Sequence, residues 1–278
     1  MRVGGPVAGF LLIGLAAQSF LAAQAGPTLE PVRSFEVASV RQTKDRAPMQ
    51  WQPSGRFASG VPILSLVSIG YGVPLYRIEG LPDWARTTLF AINATAGRQV
   101  EIEERPAYYR GLLVERFRLT ARVERREMDV LTLTLARSDG QLGPGLRRSD
   151  VNCDAIIAES RRRSLAGEQP EPLAPGTRPR CSYVGGPASL MGDAAELTGL
   201  FAILGQTLGR PVLDKTGLKG RFDIDFRAAP PGAREGSPAA ALPPISTALE
   251  DQLGLKLQQD RAPVEVLVID RLEMPTEN

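Results

Sequence analysis

Histidine is absent from this chain of 278 residues. Its absence removes Ser-His-Asp and Cys-His catalysis, histidine-ligated zinc and imidazole proton shuttling together. An enzyme made of these residues would have to run on carboxylates, Lys, Tyr or Ser. Lysine is nearly missing too, occurring only at 44, 215, 219 and 256, so the basic residues are almost all arginine. A GC-rich genome gives that bias as readily as a function does. The net charge is +2, with both signs mixed along the chain, which offers no basic stripe for nucleic acid. Beyond the N-terminus no run reaches the roughly 20 apolar residues of a membrane span. The GxxxxGK[ST] loop of phosphate binders is also missing. No catalytic residue, metal or cofactor is expected.

What is present begins with MRVGGPVAGFLLIGLAAQSFLAAQA. Arg2 gives a positive start, an apolar run follows from Val7 to about Leu21, and Ala23-Gln24-Ala25 is a small-x-small cleavage site. Residues 1–25 therefore read as a secretory signal peptide, with a mature chain starting near Gly26. A membrane anchor is the alternative, but Gly, Gln and Ser interrupt a run that is already short. The chain is expected to be exported, periplasmic or secreted, with no span left after cleavage.

Cys153 and Cys181 are the only cysteines. In an oxidising compartment an isolated pair is most simply a disulfide, and the CxxC spacing of a redox pair is absent. The closed loop holds 27 residues, for which chain entropy gives about 3–4 kcal/mol. Inside it, Asp154 to Arg163 can form a short helix, while GEQPEPLAPGTRP is a Pro-rich loop.

The chain also repeats itself. Tyr109–Leu133 aligns without a gap on Ile245–Ile269, setting Leu113 on Leu249, Phe117 on Leu253, Leu119 on Leu255 and Val130 on Val266. Each copy reads as an amphipathic helix, a tight turn and two strands. ERRE in one copy and QDRAP in the other supply the turn between the strands. Ile63–Ala94 and Leu197–Phe226 match more loosely, as a short apolar helix, a small strand (76–78 and 211–213), a turn, and a strand starting at Phe90 or Phe222. The predicted fold is α+β, a tandem duplication of α-β-β-α-β-β units with antiparallel and mixed sheets. Residues 26–137 form the first repeat, 138–190 a disulfide-closed connector, and 191–278 the second repeat, with a Pro/Ala/Gly linker at 228–244. Phe35–Val40 adds a strand, and Gly55–Ala58 another.

Within the second repeat, GRPVLDKTGLKGRFDIDF looks like a site. Its position matches EGLPDWARTTLFA in the first copy, so it reads as a strand connection, with Gly217 and Gly220 for turn conformations and Asp214 for an Asx turn. A ligand loop is the alternative, and Asp214, Lys215, Arg221 and the turn residue Trp84 are the candidate contact residues. Asp83, Asp214, Asp223 and Asp225 are the carboxylates from which a hydrolase acting on polysaccharide would be built, provided two of them flank a cleft.

FEVASVR, LSLVSIGYGV, IEGLPDW, LLVERFRLTARVERREMDVLTL, LGRPVLDKTGLKGRFDIDF and the ending VEVLVIDRLEMPTEN, in that order, resemble the soil-associated family of exported proteins, a domain of unknown function. The chain departs from that pattern at GGPASLMGDAAEL, where a clear lead-in to the second copy is replaced by an extra Gly-Asp. A similar domain is found on some BlaR-type membrane peptidases, and the units bear a fainter likeness to the N-terminal domains of secretins and TonB-dependent receptors. The resemblance implies location and architecture but no reaction. The expected function is a non-catalytic envelope or secreted module binding a protein, peptide or glycan. An extracytoplasmic sensor acting with a membrane partner, and the carboxylate hydrolase, are the alternatives.

Overall fold

The computed structural model describes residues 31–168, 173–174 and 176–275. The expected signal peptide and its cleavage site lie outside them. The fold is α+β, built on three four-stranded sheets. The first sheet has the order β1-β5-β3-β2, from β1 (Val37–Thr43), β2 (Ala47–Trp51), β3 (Arg56–Pro62) and β5 (Leu89–Thr95). The third has the order β7-β11-β9-β8, from β7 (Leu146–Ser149), β8 (Val184–Gly186), β9 (Ser189–Ala195) and β11 (Arg221–Arg227). Position by position the two orders correspond.

Between them lies the central sheet, β10-β6-β12-β4. Its two inner strands are long, β6 (Thr120–Leu135) and β12 (Leu255–Arg271), and they pair antiparallel along nearly their whole length. The outer strands are short and cross over. β4 (Ile78–Glu79) from the first half lies parallel on β12, and β10 (Val212–Asp214) from the second half lies parallel on β6. Both halves of the chain thus share one sheet.

This corrects the sequence reading at ERRE and QDRAP. Neither is a turn: the strands run straight through them and pair with each other, Glu127 opposite Pro263 and Asp129 opposite Arg261. ERRE contains no glycine, asparagine or aspartate to supply the φ > 0 that a tight hairpin needs. Pro263 is tolerated because β4 reaches only Leu267 and Val268, leaving the outer side of β12 uncovered at that point.

Two cores follow. In the first lobe, α1 (Ile63–Tyr71), the short α2 (Asp83–Thr87) and α3 (Arg105–Phe117) pack with the first sheet, and Leu267 and Ile269 from the end of β12 join them. In the second, α5 (Thr198–Leu208) and α6 (Ile245–Ala248), which continues into a wide π turn at Leu249–Leu253, pack with the third sheet. Leu131 and Leu133 from the end of β6 and Leu255 from the start of β12 complete that core. The helix-strand-strand units therefore do not each cover a two-stranded ribbon of their own. Each long strand serves both cores.

Local signals account for the ends. The 3-10 turn Ile102–Glu104 that leads into α3 opens on a capping box in which Glu101 and Glu104 satisfy each other's backbone. α1 and α5 stop at Gly72 and Gly209, both left-handed at φ 64°. Leu113, Phe117, Leu119 and Val130, with Leu249, Leu253, Leu255 and Val266, are all buried. The segment 76–78, read as a small strand, is a 3-10 turn (Leu75–Arg77) followed by the two-residue β4. β7, β8 and the start of β9 fall in the segment read as a connector, and they belong to the third sheet.

Candidate functional site

The segment that looked most like a site turns the chain. Residues 215–220 join β10 to β11. Asp214 Oδ1 accepts the Thr216 N–H at 2.8 Å and the Thr216 hydroxyl at 2.7 Å, which is an Asx turn, and Thr216 Oγ1 accepts the Leu218 N–H at 3.1 Å. Gly217 and Gly220 have φ of 70° and 95°. Lys215 Nζ meets Asp260 Oδ2 on β12 at 2.9 Å, and this ammonium holds the Asp260 carboxyl below its usual range. Arg221 reaches the Ala194 carbonyl at 3.1 Å and Glu196 at 2.9 Å. The connection thus brings together Asp214, Lys215 and Arg221 and engages all three.

Trp84 belongs to the other lobe and is not the exposed turn residue that its sequence context suggested. It sits on α2, half-buried, with its ring 6.0 Å from Phe90 and 6.4 Å from Phe117. A large apolar ring beside an open core edge gains more by packing there than by staying in water.

Apart from Asp83, the carboxylates named for a hydrolase are occupied as well. Asp223 accepts the Ala194 N–H at 3.0 Å. Asp225 pairs with Arg178 at 3.2 Å. Arg178 is the hub of this corner: its Nε meets Asp193 at 2.7 Å, and its Nη2 reaches the carbonyls of Gly192 at 3.1 Å and Ile224 at 2.9 Å. The hydrogen bond to Asp193 raises the pKa of the guanidinium further. Arg178 thereby pins the Cys181 segment across β9 and β11. Asp83 stands exposed in the first turn of α2. Among the described residues no group of three or more acidic or cysteine side chains is placed to hold a metal.

Cys153 and Cys181 are bridged, with α-carbons 5.6 Å apart. The bridge joins the N-terminal end of α4 (Asp154–Leu165) to a segment lying along β9, where the Cys181 N–H meets the Asp193 carbonyl at 2.7 Å.

The sheet edges single out one place. Every other edge strand carries a charge or a proline: Arg41 in β1, Pro48 in β2, Glu79 in β4, Arg147 and Arg148 in β7, Asp214 in β10. Such residues blunt pairing with a stray strand. β8 is Val184-Gly185-Gly186 and has neither. Gly186 and Ser189 flank the two-residue turn Pro187-Ala188, with Ala188 at φ 58°. They form the narrow hydrogen-bonded pair, so the next pair, Gly185 with Leu190, turns the Gly185 N–H and C=O outward. Neither has a backbone partner among the described residues. Tyr183 and Val184 beside it are 42% and 45% exposed. Two adjoining grooves share Gly185. One, of about 450 Å³, is lined by Ile203, Gln206 and Pro230; the other, of about 400 Å³, by Met191, Phe226 and Arg227. The sequence reading passed over this strand because three residues with two glycines give no period. The one available signal was the departure at GGPASLMGDAAEL, which is where β8 and β9 lie.

A family model described as a protein of unknown function (DUF3738) matches residues 64–272. The chain belongs to that family. The matched span runs from the first turn of α1 past the end of β12, leaving β1 to β3 ahead of it. No curated protein and no solved structure matches the chain. No helix among the described residues is long and apolar enough to cross a membrane.

Proposed function

We propose that this protein is an exported, non-catalytic module of the envelope or the secreted fraction, and that it takes an extended peptide segment of a partner protein as an added strand on β8. The observation that carries this reading is the edge itself. Among the described residues β8 is the one edge strand without a charge or proline, and it turns a backbone donor and acceptor outward between two grooves. Strand addition uses those ingredients: main-chain hydrogen bonds give affinity, and pockets for alternate side chains give selectivity. The largely apolar linings of Ile203, Pro230, Met191 and Phe226 favour a segment with apolar residues at alternate positions. Arg227, held by Asp225 only at 3.7 Å, favours a carboxylate near one end. Export is supported by the N-terminal sequence pattern and by the disulfide.

The test is selection from a displayed library of ten-residue peptides against the oxidised protein, followed by titration of an enriched peptide into wild type and Val184→Lys. Enrichment of alternating apolar sequences, with binding at least tenfold weaker to the lysine variant, supports the reading. No enrichment, or a peptide that binds both proteins equally, overturns it.

A further inference from the structure

α4 is held from its two ends. It has no buried residue along its length. At its N-terminal end Cys153 is bonded to Cys181 of the second lobe. Its other end rests on the first lobe: Arg161 pairs with Glu103 and, at 3.0 Å, with Glu101 before α3, and Gly167 lies against Pro53 and the Trp51 carbonyl. The disulfide also stands at the approach to β8, since Tyr183 and Val184 follow Cys181 and Ser182 directly. That approach is held tightly. Cys181 sits at φ 57°, a conformation that L side chains resist. The Ser182 carbonyl lies so close on Gly192 that a Cβ there would collide with it, and the Tyr183 ring covers Gly199 of α5 in the same way. Cys153 is buried while Cys181 is half-buried, so the Cys181 side is the more open to a reductant.

The geometry points to a thiol–disulfide switch on the docking edge: reduction of Cys153–Cys181 by an external dithiol frees α4 and the lead-in to β8 while the three sheets stay formed. Its consequence for binding rests on the strand-addition reading. In the step, a thiolate of the dithiol attacks the Cys181 sulfur and Cys153 leaves. The second thiol of the reductant then resolves the mixed disulfide. Two electrons and two protons end on Cys153 and Cys181 as thiols, and the dithiol ends as its own disulfide. Cys181 then relaxes out of the left-handed region, and the outward groups of Gly185 lose their fixed direction. The sheet pairings do not run through the bond, because β11 pairs with both β7 and β9 without it.

Hydrogen exchange read by mass spectrometry on the full chain tests this, comparing the oxidised protein, the protein treated with dithiothreitol, and Cys153→Ser/Cys181→Ser. Amides of 154–165 and 181–186 should exchange faster in the last two, by a factor at least ten times that seen at 89–95 and 221–227, which feel only the loss of global stability. Arg161→Ala, which keeps the disulfide, should speed exchange in 154–165 alone. Unchanged protection at 181–186 after reduction overturns the switch. So does a rise of equal factor at 154–165, 181–186, 89–95 and 221–227, which makes the bridge a general staple and nothing more. Failure of strand addition is a separate result: the oxidised protein then captures no peptide, whatever the exchange pattern. A peptide captured equally by oxidised and reduced protein refutes the switch and leaves strand addition standing.

Discussion

β2 and β8 hold matching places in the two lobes, each the outermost strand beside β3 or β9. β2 reads Ala-Pro-Met-Gln-Trp, follows Lys44, Asp45 and Arg46, and closes on Trp51 in the core. β8 reads Val-Gly-Gly, follows Tyr183, and buries none of its own residues. The interiors differ in the same manner. The first lobe is aromatic: Phe35 stacks on Trp51 at 5.7 Å, Phe90 meets Phe117 edge-on at 5.3 Å, and the Trp51 Nε1–H donates to the Tyr109 hydroxyl at 2.7 Å. The second lobe is mainly aliphatic around Phe222 and Phe226, and a disulfide and the Arg178 hub hold its margin. One strand order is thus kept by two different sets of contacts. Strand pairing and face burial set the order, and side-chain identity within each face is free to vary. The lobes differ most where strand order imposes least, at the edge.

The largest expected effects test whether the lobes stand or fall together. Phe117→Ala in the first core and Phe222→Ala in the second should each cost about 3–5 kcal/mol, since both side chains are fully buried. Because β6 and β12 pass through both cores, urea should unfold either variant in one transition seen equally by tryptophan fluorescence and by far-ultraviolet circular dichroism. Two separated transitions would make the lobes independent.

The bridge contributes next. Cys153→Ser/Cys181→Ser should lower stability by about 3–4 kcal/mol on the chain-entropy account, read as a shift of the urea midpoint. An equal midpoint would mean that the loop it closes is already ordered in the unfolded chain.

A smaller effect is expected at Tyr109. Burial raises its phenol above the ordinary value, despite the hydrogen bond from Trp51. Burial acts likewise on Tyr71 and Tyr76. A pKa raised in the folded state gives stability that is complete below the unfolded value near 10 and is lost as pH rises through the folded one. Tyr109→Phe should remove part of this alkaline loss and cost about 1–3 kcal/mol at neutral pH by leaving the buried Trp51 N–H without its acceptor.

The smallest effect lies at the contact between α4 and the first lobe. Glu103 is held below its usual range, first by the hydrogen bond from Arg161. A depressed carboxyl contributes above the unfolded pKa and loses that contribution as pH falls through the folded one. Exchange in 154–165 should therefore quicken below about pH 4.5, in wild type but not in Arg161→Ala.

The burial of Leu113, Phe117 and Leu119, and of Leu249, Leu253 and Leu255, was legible because helix and strand periods are local. The Asx turn at Asp214 was legible for the same reason. The long strands were not. The polar run ERRE looks like a turn by itself, and only its partner 136 to 142 positions away, from Pro263 to Val266, makes it strand. Nor was the exchange of β4 and β10 between halves legible, since two- and three-residue strands are set by what they lie against. Trp84 was misread because an LPDW turn gives no sign of Phe90 and Phe117 beneath it. Arg178 and β8 were hidden in a segment that reads as loop, where positions are decided by Asp193, Asp225 and the disulfide rather than by any repeat.

Hydrogen exchange of the oxidised protein, with and without a saturating library-selected peptide, tests the difference between the lobes most directly. Protection gained at 182–186 and none at 47–51 is the predicted result. Protection gained at β2, or at neither edge, would contradict it.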